Sequence, residues 1–391
     1  MTPLATPASR FSLTEARSIV RDLFVPRPWI YWADFLTTIL TGHVCATLAR
    51  LVFDLGIEPL GLRLLLAAAA FAVQCLCFYR GVMFIHEIVH LPARKFTAFR
   101  LAWNLLCGIP FLVPSFTYET HLDHHRRKSF GTQQDGEYLP LASMTPWAII
   151  ALLSQCLWIP PLAVVRFGLV TPLTWCSPAL RRFVHQRCSS LVIDPTYLRP
   201  LPTKDEWLSI RLQEVGCFLV LVGYVLFPLF VLGRWPVPLA IQGYLAGAAL
   251  ILLNSLRTLA SHRWTSKGDE GTFLEQMLDS VTLDNDSLAT VLINPVGLRY
   301  HATHHLFPSL PYHNLRAAHK RLLARLPADS PYRQTVAHSL GATLLDLWQR
   351  AAAHRNSIRS PKVSPAGSKP ASGALRVVLP SFSETRFGPG Y

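Results

Sequence analysis

Charged residues are scarce in this sequence. Asp, Glu, Lys and Arg together make up 15% of its 391 residues, whereas roughly 25% is usual for soluble proteins. Hydrophobic residues reach 51%, and the mean hydropathy is +0.29. A chain with so little charge turns much of its surface to lipid. The composition therefore excludes ordinary soluble domains and predicts an integral membrane protein.

Two further patterns are absent. The eight cysteines include no Cys-x-x-Cys pair, which excludes a rubredoxin-type metal site within the chain and gives no sign of a disulfide framework. The first 18 residues have no apolar core and no small-residue cleavage site, so we expect no cleaved signal peptide. We therefore expect no cysteine metal site, no disulfide framework and no cleaved signal peptide.

Four apolar windows are long enough to cross a bilayer, since roughly 20 residues span its hydrocarbon core. They cover residues 35–53, 64–85, 215–233 and 237–256, and we predict four transmembrane helices. Residues 144–165 form a further uncharged window, which three prolines interrupt. A single crossing there would place the next basic segment on the opposite side, so we predict a re-entrant or surface-lying helical pair.

The net charge of +14 follows membrane topology rather than nucleic-acid binding. Lys and Arg are frequent in the N-terminal arm and in residues 94–128 and 181–211, whereas the turns between paired spans carry few. By the positive-inside rule, both termini and the long connecting segments face the cytoplasm. We therefore expect the protein to lie in a membrane and to bind no nucleic acid.

Composition also divides the chain. We predict a cytosolic arm over residues 1–29, the membrane domain over 30–328 and a C-terminal amphipathic helix over 329–355. The helix is predicted from the spacing of Leu340, Leu344 and Trp348. Residues 356–391 are rich in Ser, Pro and Gly with scattered Lys and Arg, and we predict a disordered basic tail because such a segment cannot bury a core.

Nine of the fifteen histidines fall into patterns. HEIVH places two at i and i+4, HLDHH and HATHH each place three at i, i+3 and i+4, and SHRW contains one. Residues with these spacings share a helix face, so each motif can direct its imidazoles toward one site. Clustered neutral imidazoles indicate metal binding, although Zn, Cu, Fe and Ni all accept them. Nine ligands suit two metals. They are His86, His90, His121, His124, His125, His262, His301, His304 and His305.

The motifs HEIVH, HLDHHRRKSFGTQQDGEYLP, SHRW and RYHATHHLFPSLPYHNL, in this order, resemble the membrane fatty acid desaturase superfamily, bacterial-type members included. The resemblance covers about residues 60–325. It implies an all-α membrane protein with four transmembrane helices, whose cytosolic helical cap holds a histidine-rich di-iron site. It also implies that the nine histidines are the iron ligands, that O2 is the co-substrate, and that the protein lies in a bacterial inner membrane with its active site facing the cytoplasm.

Other residues near the motifs are candidates for orienting the ligands. A carboxylate often accepts a hydrogen bond from the ring nitrogen of a metal-bound histidine that faces away from the metal. The candidates for this role are Glu87, Asp123, Asp135 and Glu137. Some members of the superfamily place an Asn one turn before the lone histidine, where it holds a metal-bound water. Thr258 occupies that position here, and Asn254 lies two turns before His262.

The resemblance implies desaturation of a lipid acyl chain as the leading function. Hydroxylation of an acyl chain, an alkane or a carotenoid by the same site is the first alternative. HEIVH also matches the zinc protease pattern His-Glu-x-x-His, in which Glu87 would be the general base; a membrane protease is a distant alternative, since this motif explains only two of the nine histidines. No fused haem-type domain is visible, so we expect electrons from a separate ferredoxin, rubredoxin or cytochrome.

Overall fold

Helices make up almost all the regular structure of this protein. The computed structural model describes residues 11–233 and 235–359. Most of the predicted tail and the first ten residues of the predicted arm lie outside the described residues. Residues 356–359, which we assigned to the tail, belong to the last helix, Leu340–Arg359.

Fifteen α-helices occur in the described part of the chain. The first eight are α1 (Leu13–Ile19), α2 (Pro28–Leu51), α3 (Leu60–His90), α4 (Thr97–Trp103), α5 (His121–His125), α6 (Pro146–Val165), α7 (Thr171–Cys176) and α8 (Pro178–Cys188). The others are α9 (Lys204–Leu232), α10 (Val237–Ser261), α11 (Phe273–Asp279), α12 (Leu288–Ile293), α13 (His301–Leu306), α14 (Tyr312–Arg325) and α15 (Leu340–Arg359). Two short parallel strands, β1 (Thr282–Leu283) and β2 (Val336–Ala337), pair in the cap.

The helices α2 and α3 form a hairpin that presents the first histidine motif. Pro28 stands in the first turn of α2, where a missing N–H removes no helical hydrogen bond. A glycine lets the two helices approach closely, because a Cβ at Gly42 would lie 2.5 Å from the Phe78 ring. The last two turns of α3 are buried and end at His90, so the motif sits where the hairpin meets the cap.

Four helices in the described part are long and apolar enough to cross a membrane: Leu60–His90, Pro146–Cys176, Lys204–Val231 and Val237–Ser261. The prediction of an all-α membrane protein with four candidate spans and a histidine-rich site is therefore confirmed. These four helices are not the same four segments that we predicted as spans. The predicted first span, 35–53, lies on α2, which is not among them. Its polar residues are partnered within the protein, since Asp34 pairs with Arg80 and Arg50 donates to Gln242.

The window at 144–165 forms one helix rather than a pair. Pro160 and Pro161 lie inside α6, which continues through a π-helical turn, Arg166–Val170, into α7. Both ends of this long segment nevertheless lie near the histidine motifs. Leu152 packs in one cluster with Leu259, three residues before His262. At the other end, Arg166 donates to Ser189, beside the loop that pairs with Thr117.

The remaining elements pack around the histidine motifs and form what we call the cap. The segment from 97 to 118 is divided into α4, a π-helical turn (Asn104–Gly108) and a 3-10 turn (Ser115–Tyr118). Further 3-10 turns lie at Arg21–Phe24, Ala93–Lys95, Leu141–Ser143 and Pro331–Thr335. The helix α15 begins later than the predicted amphipathic helix and packs Leu347 and Ala351 against Trp264.

Candidate metal centre

The first motif lies on the last turn and a half of α3. His86 and His90 are four residues apart, so both rings lie on the same side of the helix, and their centroids are 5.2 Å apart. Because α3 comes from the membrane domain, its end carries these rings directly into the space beneath the cap. His86 is buried and His90 is nearly so.

The second and third motifs form two short helices. HLDHH is α5 and HATHH is α13, and each spans little more than one turn. The Tyr118 ring stacks on His121 at 4.6 Å and supports the start of α5. All residues of α13 are buried. His262 follows the last residue of α10 in extended conformation, and it bridges to Ser280 of the cap.

The nine histidines form two separate groups of ring nitrogens. Within each group the potential ligand atoms all lie within 4.8 Å of one another. The five-histidine group contains His86, His90, His121, His125 and His304. The four-histidine group contains His124, His262, His301 and His305.

Each of the two short helices contributes to both groups. In α5, His121 and His125 join the five-histidine group, whereas His124 joins the other. The helix α13 reverses this arrangement. His301 and His305 join the four-histidine group, and His304 the five-histidine group. Successive helical residues point about 100° apart, so neighbours such as His124 and His125 cannot face the same point. Our expectation that each motif aims at one site is corrected accordingly.

The spacing of the ring nitrogens fits metal coordination. Within the four-histidine group, Nε2 of His262 lies 2.9 Å from Nε2 of His301 and 3.1 Å from Nε2 of His124. In the five-histidine group, Nε2 of His125 lies 2.9 Å from Nε2 of His121 and 3.1 Å from that of His304. Two ligands at right angles, each about 2.1 Å from one metal, are about 3.0 Å apart.

Unpartnered nitrogens support the same interpretation. Both ring nitrogens of His86 and the Nε2 atom of His90 are buried and have no hydrogen-bond partner in the described part of the chain. Such atoms are costly to bury unless something binds them. The nine residues therefore fit two imidazole-ligated metals by geometry and by donor type, and α3 contributes donors that no protein group satisfies.

Two carboxylates hydrogen-bond to the outer nitrogens of rings, and a third lies beside one. Asp135 Oδ2 lies 2.8 Å from Nδ1 of His124, and both Glu137 oxygens lie 3.0 Å from Nδ1 of His121. Asp279 Oδ2 lies 3.2 Å from Nδ1 of His262 but forms no hydrogen bond with it. A carboxylate at Nδ1 keeps the proton there and leaves Nε2 as the metal-facing lone pair. The side-chain amide of Gln276 lies 3.5 Å from Nδ1 of His305.

Burial keeps most of the rings neutral. It lowers the pKa of His125, His301 and His305 well below 6.5, and neighbouring histidines lower the pKa of each further. Burial also acts to lower the pKa of His124, but the carboxylates of Asp135, Glu137 and Asp279 together raise this pKa above its ordinary value. Burial raises the pKa of Glu137 to about 8, although nearby positive groups oppose this shift. Neutral imidazole is the form that binds metal.

Four of the predicted orienting residues have other partners. Of the candidates beside the motifs, Asp135 and Glu137 contact ring nitrogens. Glu87 is turned away and accepts from the Tyr31 hydroxyl and the Tyr312 amide, at 2.9 and 3.2 Å. Asp123 pairs with Arg126 at the surface. Asn254 and Thr258 both accept from the Arg257 guanidinium, at 3.2 and 3.0 Å.

Three residues near the rings were not among our predictions. Asp279 and Gln276 lie on α11, which has no motif of its own. Arg257 is buried in α10, one residue beyond the predicted span 237–256. A charged residue near the end of an apolar window was the only available signal for Arg257. The placement of α11 depends on long-range packing and leaves no pattern in the sequence.

The fold and the site together define a helical membrane protein with a histidine-rich candidate metal centre. The comparisons with known proteins agree. The family model described as fatty acid desaturase matches residues 60–336. A ceramide hydroxylase of Caulobacter vibrioides (strain NA1000 / CB15N) is 37% identical over 355 residues, which cover 89% of this chain and 96% of the relative. The chain belongs to the membrane fatty acid desaturase and hydroxylase superfamily.

Proposed function

We propose that this protein is an O2-dependent lipid hydroxylase, which inserts one oxygen atom into a C–H bond of a lipid acyl chain at a di-iron centre. The similarity to a ceramide hydroxylase along nearly the whole of both chains is the observation that carries this proposal. It favours the hydroxylase alternative of the sequence analysis over desaturation. A ceramide-like lipid is the proposed substrate.

The two histidine groups would each hold one iron. When bound, the irons supply the capacity to activate O2 with two electrons from a separate ferredoxin, rubredoxin or cytochrome. The balanced reaction consumes one O2, two electrons and two protons, and it yields the alcohol and one water. The protein's own part is to orient the imidazoles through Asp135 and Glu137. Burial of the rings excludes bulk water, which protects the reaction from side reactions.

Membrane placement follows from the same proposal. Four apolar helices indicate a membrane protein. We propose from the distribution of Lys and Arg that both termini and the histidine centre face the cytoplasm, and from the family resemblance that the membrane is a bacterial inner membrane. The lipid substrate would then reach the centre from the bilayer, and the electron donor would approach from the cytoplasm.

Desaturation is the second candidate, because the matching family model describes desaturases. Both reactions begin with removal of hydrogen from a carbon, and they differ in whether oxygen or a second hydrogen is transferred. The protease alternative loses its general base, since Glu87 is held by Tyr31 and the Tyr312 amide. The two histidines of HEIVH also belong to the five-histidine group, together with three histidines from the other motifs.

Lipid analysis of a host that expresses the chain tests the proposal. We expect a lipid heavier by one oxygen atom, identified by mass spectrometry and dependent on O2. A lipid lighter by two hydrogen atoms would instead establish desaturation. His304→Ala should abolish the product, whereas His338→Ala, at an exposed histidine outside both groups, should not. Elemental analysis should find about two irons in the wild type and His338→Ala proteins, and a clear loss in His304→Ala.

A further inference from the structure

The helix α13 carries three of the nine histidines but is too short to fix its own orientation. It has six residues, and isolated helices shorter than about 12 residues are marginal in water. The residue before it, Tyr300, forms no side-chain capping bond. Contacts with the rest of the cap therefore determine how α13 is rotated, and that rotation sets the direction of ligands in both histidine groups.

A line of buried polar side chains contacts α13 through Thr303. The Thr303 hydroxyl lies 2.6 Å from the Tyr332 hydroxyl, which lies 2.7 Å from Nδ1 of His319. These three residues are each 0% exposed, and we call them the Thr303 network. Asp284, which is exposed, places its Oδ2 3.4 Å from Nε2 of His319 without a hydrogen bond.

The Thr303 network ties α13 to other elements of the cap. Tyr332 lies in the 3-10 turn between α14 and β2, and His319 lies in α14. Asp284 directly follows β1, which pairs with β2. The backbone of β1 also contacts the segment before α13, because the Leu283 amide donates to the Arg299 carbonyl at 2.8 Å. Three cap elements thus meet behind one short helix.

The charge at the outer end of the network gives its bonds a direction. The carboxylate of Asp284 favours the proton on the near nitrogen of His319, Nε2, which leaves Nδ1 as an acceptor. The Tyr332 hydroxyl then donates to Nδ1 and accepts from the Thr303 hydroxyl. Hydrogen bonds between buried side chains specify one arrangement, whereas the apolar contacts around α13 are non-directional. The network therefore fixes an orientation that packing alone leaves open.

Thr303 meets the network on the side of α13 away from two of the rings. Successive helical residues are about 100° apart, so Thr303 lies about 160° around the helix from both His301 and His305. The network thus lies behind these ligands and does not compete for a metal. A rotation of α13 would move His301 and His305 of the four-histidine group together with His304 of the five-histidine group.

We propose that Tyr332 is a positioning residue of the metal centre, which holds α13 through Thr303 so that its three histidines reach both metals. His319 completes the contact because it fixes the Tyr332 hydroxyl. The inference rests on the proposed two-metal centre and does not depend on which lipid is oxidised. It predicts that loss of one hydroxyl outside both histidine groups weakens the binding of both metals.

Iron binding to the purified full-length protein in detergent tests the proposal. The measurement is the number of irons that remain per chain at graded chelator concentrations. Tyr332→Phe should hold both irons at least about tenfold more weakly than wild type, the lower end of what loss of an outer partner of metal ligands costs. Thr303→Val keeps the shape of the side chain and should have the same effect. Wild-type affinity for either iron in either variant overturns the proposal.

A matched variant separates positioning from a general loss of stability. Thr174→Val also removes a buried hydroxyl, but its hydrogen bond lies within α7, which carries no histidine of either group. This variant should keep full iron affinity even where its unfolding temperature falls as far as that of Thr303→Val. Equal loss of iron affinity in the two variants would contradict the positioning role.

Rescue by a conservative replacement gives a second control. His319→Asn retains an acceptor for the Tyr332 hydroxyl, whereas His319→Leu has none. The Asn variant should therefore bind iron more tightly than the Leu variant. Equal iron affinity in both would show that the bond from Tyr332 to His319 does not contribute to the position of α13.

The outcomes also distinguish this inference from the proposed function. A wild type that holds two irons, loses both more easily in Tyr332→Phe and forms no oxidised lipid contradicts the hydroxylase and leaves the positioning role intact. A wild type that forms the product, with unchanged iron affinity in Tyr332→Phe, contradicts only the positioning role. A wild type that holds no iron contradicts both. If Tyr332→Phe does not fold, Thr303→Val and the two His319 variants still decide the question.

Discussion

Asp135 and His124 form a buried pair that links the loop after the second motif to the four-histidine group. Asp135 Oδ2 lies 2.8 Å from His124 Nδ1, and His124 Nε2 lies 3.1 Å from His262 Nε2. The same carboxylate accepts from the Gly131 amide at 2.9 Å. Asp135 therefore sets both the direction of the ring and the nitrogen that carries the proton.

Replacing Asp135 should weaken metal binding while the ligands remain. Asp135→Asn keeps the size of the side chain but removes its charge, so Nδ1 of His124 is held less firmly. We expect about 10–100-fold lower metal affinity or activity, measured by iron content at graded chelator concentrations and by product formation. Asp123→Asn is the matched control, because Asp123 pairs with Arg126 at the surface. Equal losses in both variants would contradict the assigned role of Asp135.

Gly131 should be sensitive to the addition of one methyl group. Its φ is +67°, and a Cβ there would lie 2.5 Å from the Ser266 hydroxyl oxygen. Gly131→Ala should lose about 1–2 kcal/mol from the backbone conformation alone, and it should also reduce iron content because the Gly131 amide holds Asp135. Gly223→Ala meets open space in α9 and should be neutral or slightly stabilising. Thermal unfolding in detergent and iron analysis measure both effects.

Glu87 should prove structural despite its place in HEIVH. Glu87→Gln still accepts from the Tyr31 hydroxyl and the Tyr312 amide, so iron content and product formation should remain at wild-type levels. Glu87→Leu removes the acceptor and leaves two buried donors without a partner, which should lower the free energy of unfolding by about 1–3 kcal/mol. Loss of turnover in Glu87→Gln at full iron content would instead give this carboxylate a chemical role.

Acid should release the metal only below the ordinary histidine pKa. Burial lowers the pKa of His125, His301 and His305 below 6.5 in the folded protein. The folded state thus binds fewer protons than the unfolded state, so this stability is complete above pH 6.5 and is lost as the pH falls below it. Iron retention and thermal unfolding on an acid titration check this. Iron release that is complete above pH 6.5 would contradict the predicted neutral rings.

The ion pair of Arg166 and Glu214 should stabilise the end of the segment Pro146–Cys176. Both residues are buried, and Arg166 also donates to Ser189. Glu214→Ala leaves a buried guanidinium unpaired and should cost about 3–5 kcal/mol. The pair of Arg350 and Asp346, of which Asp346 is exposed, is the control, and Asp346→Ala should cost about 0.3–0.5 kcal/mol. Equal losses of stability in the two variants, measured by thermal unfolding, would show that the buried ion pair stabilises the protein no more than the control pair does.

Local patterns in the sequence were sufficient to find the candidate ligands. Helical spacing is a property of the chain itself, so HEIVH, HLDHH and HATHH identify eight of the nine histidines before any tertiary contact is known. The lone His262 followed from its place at the end of an apolar window. All nine now lie in the two nitrogen groups. Hydropathy was equally sufficient for α3, α9 and α10, since lipid imposes a long apolar run on any spanning helix.

Window boundaries were less accurate, and polar contacts explain why. The predicted span 64–85 ended before His86, whereas α3 continues to His90 because its last turns are buried against the cap. The predicted span 35–53 falls on α2, where Asp34 and Arg50 have partners on other helices. Hydropathy sums residue properties and contains no information on such partners.

Only the tertiary structure decided how the ligands divide and what supports them. His124 and His125 are neighbours in the chain, yet they belong to different groups, because successive helical side chains point in different directions. Asp279 lies beside His262 although it belongs to α11, and Arg257 is buried near the end of α10. The sequence by itself therefore determined the fold class, the chemistry of the ligands and the family resemblance. The partition into two groups, their carboxylates and the buried arginine arise from contacts between distant segments, which no local pattern encodes.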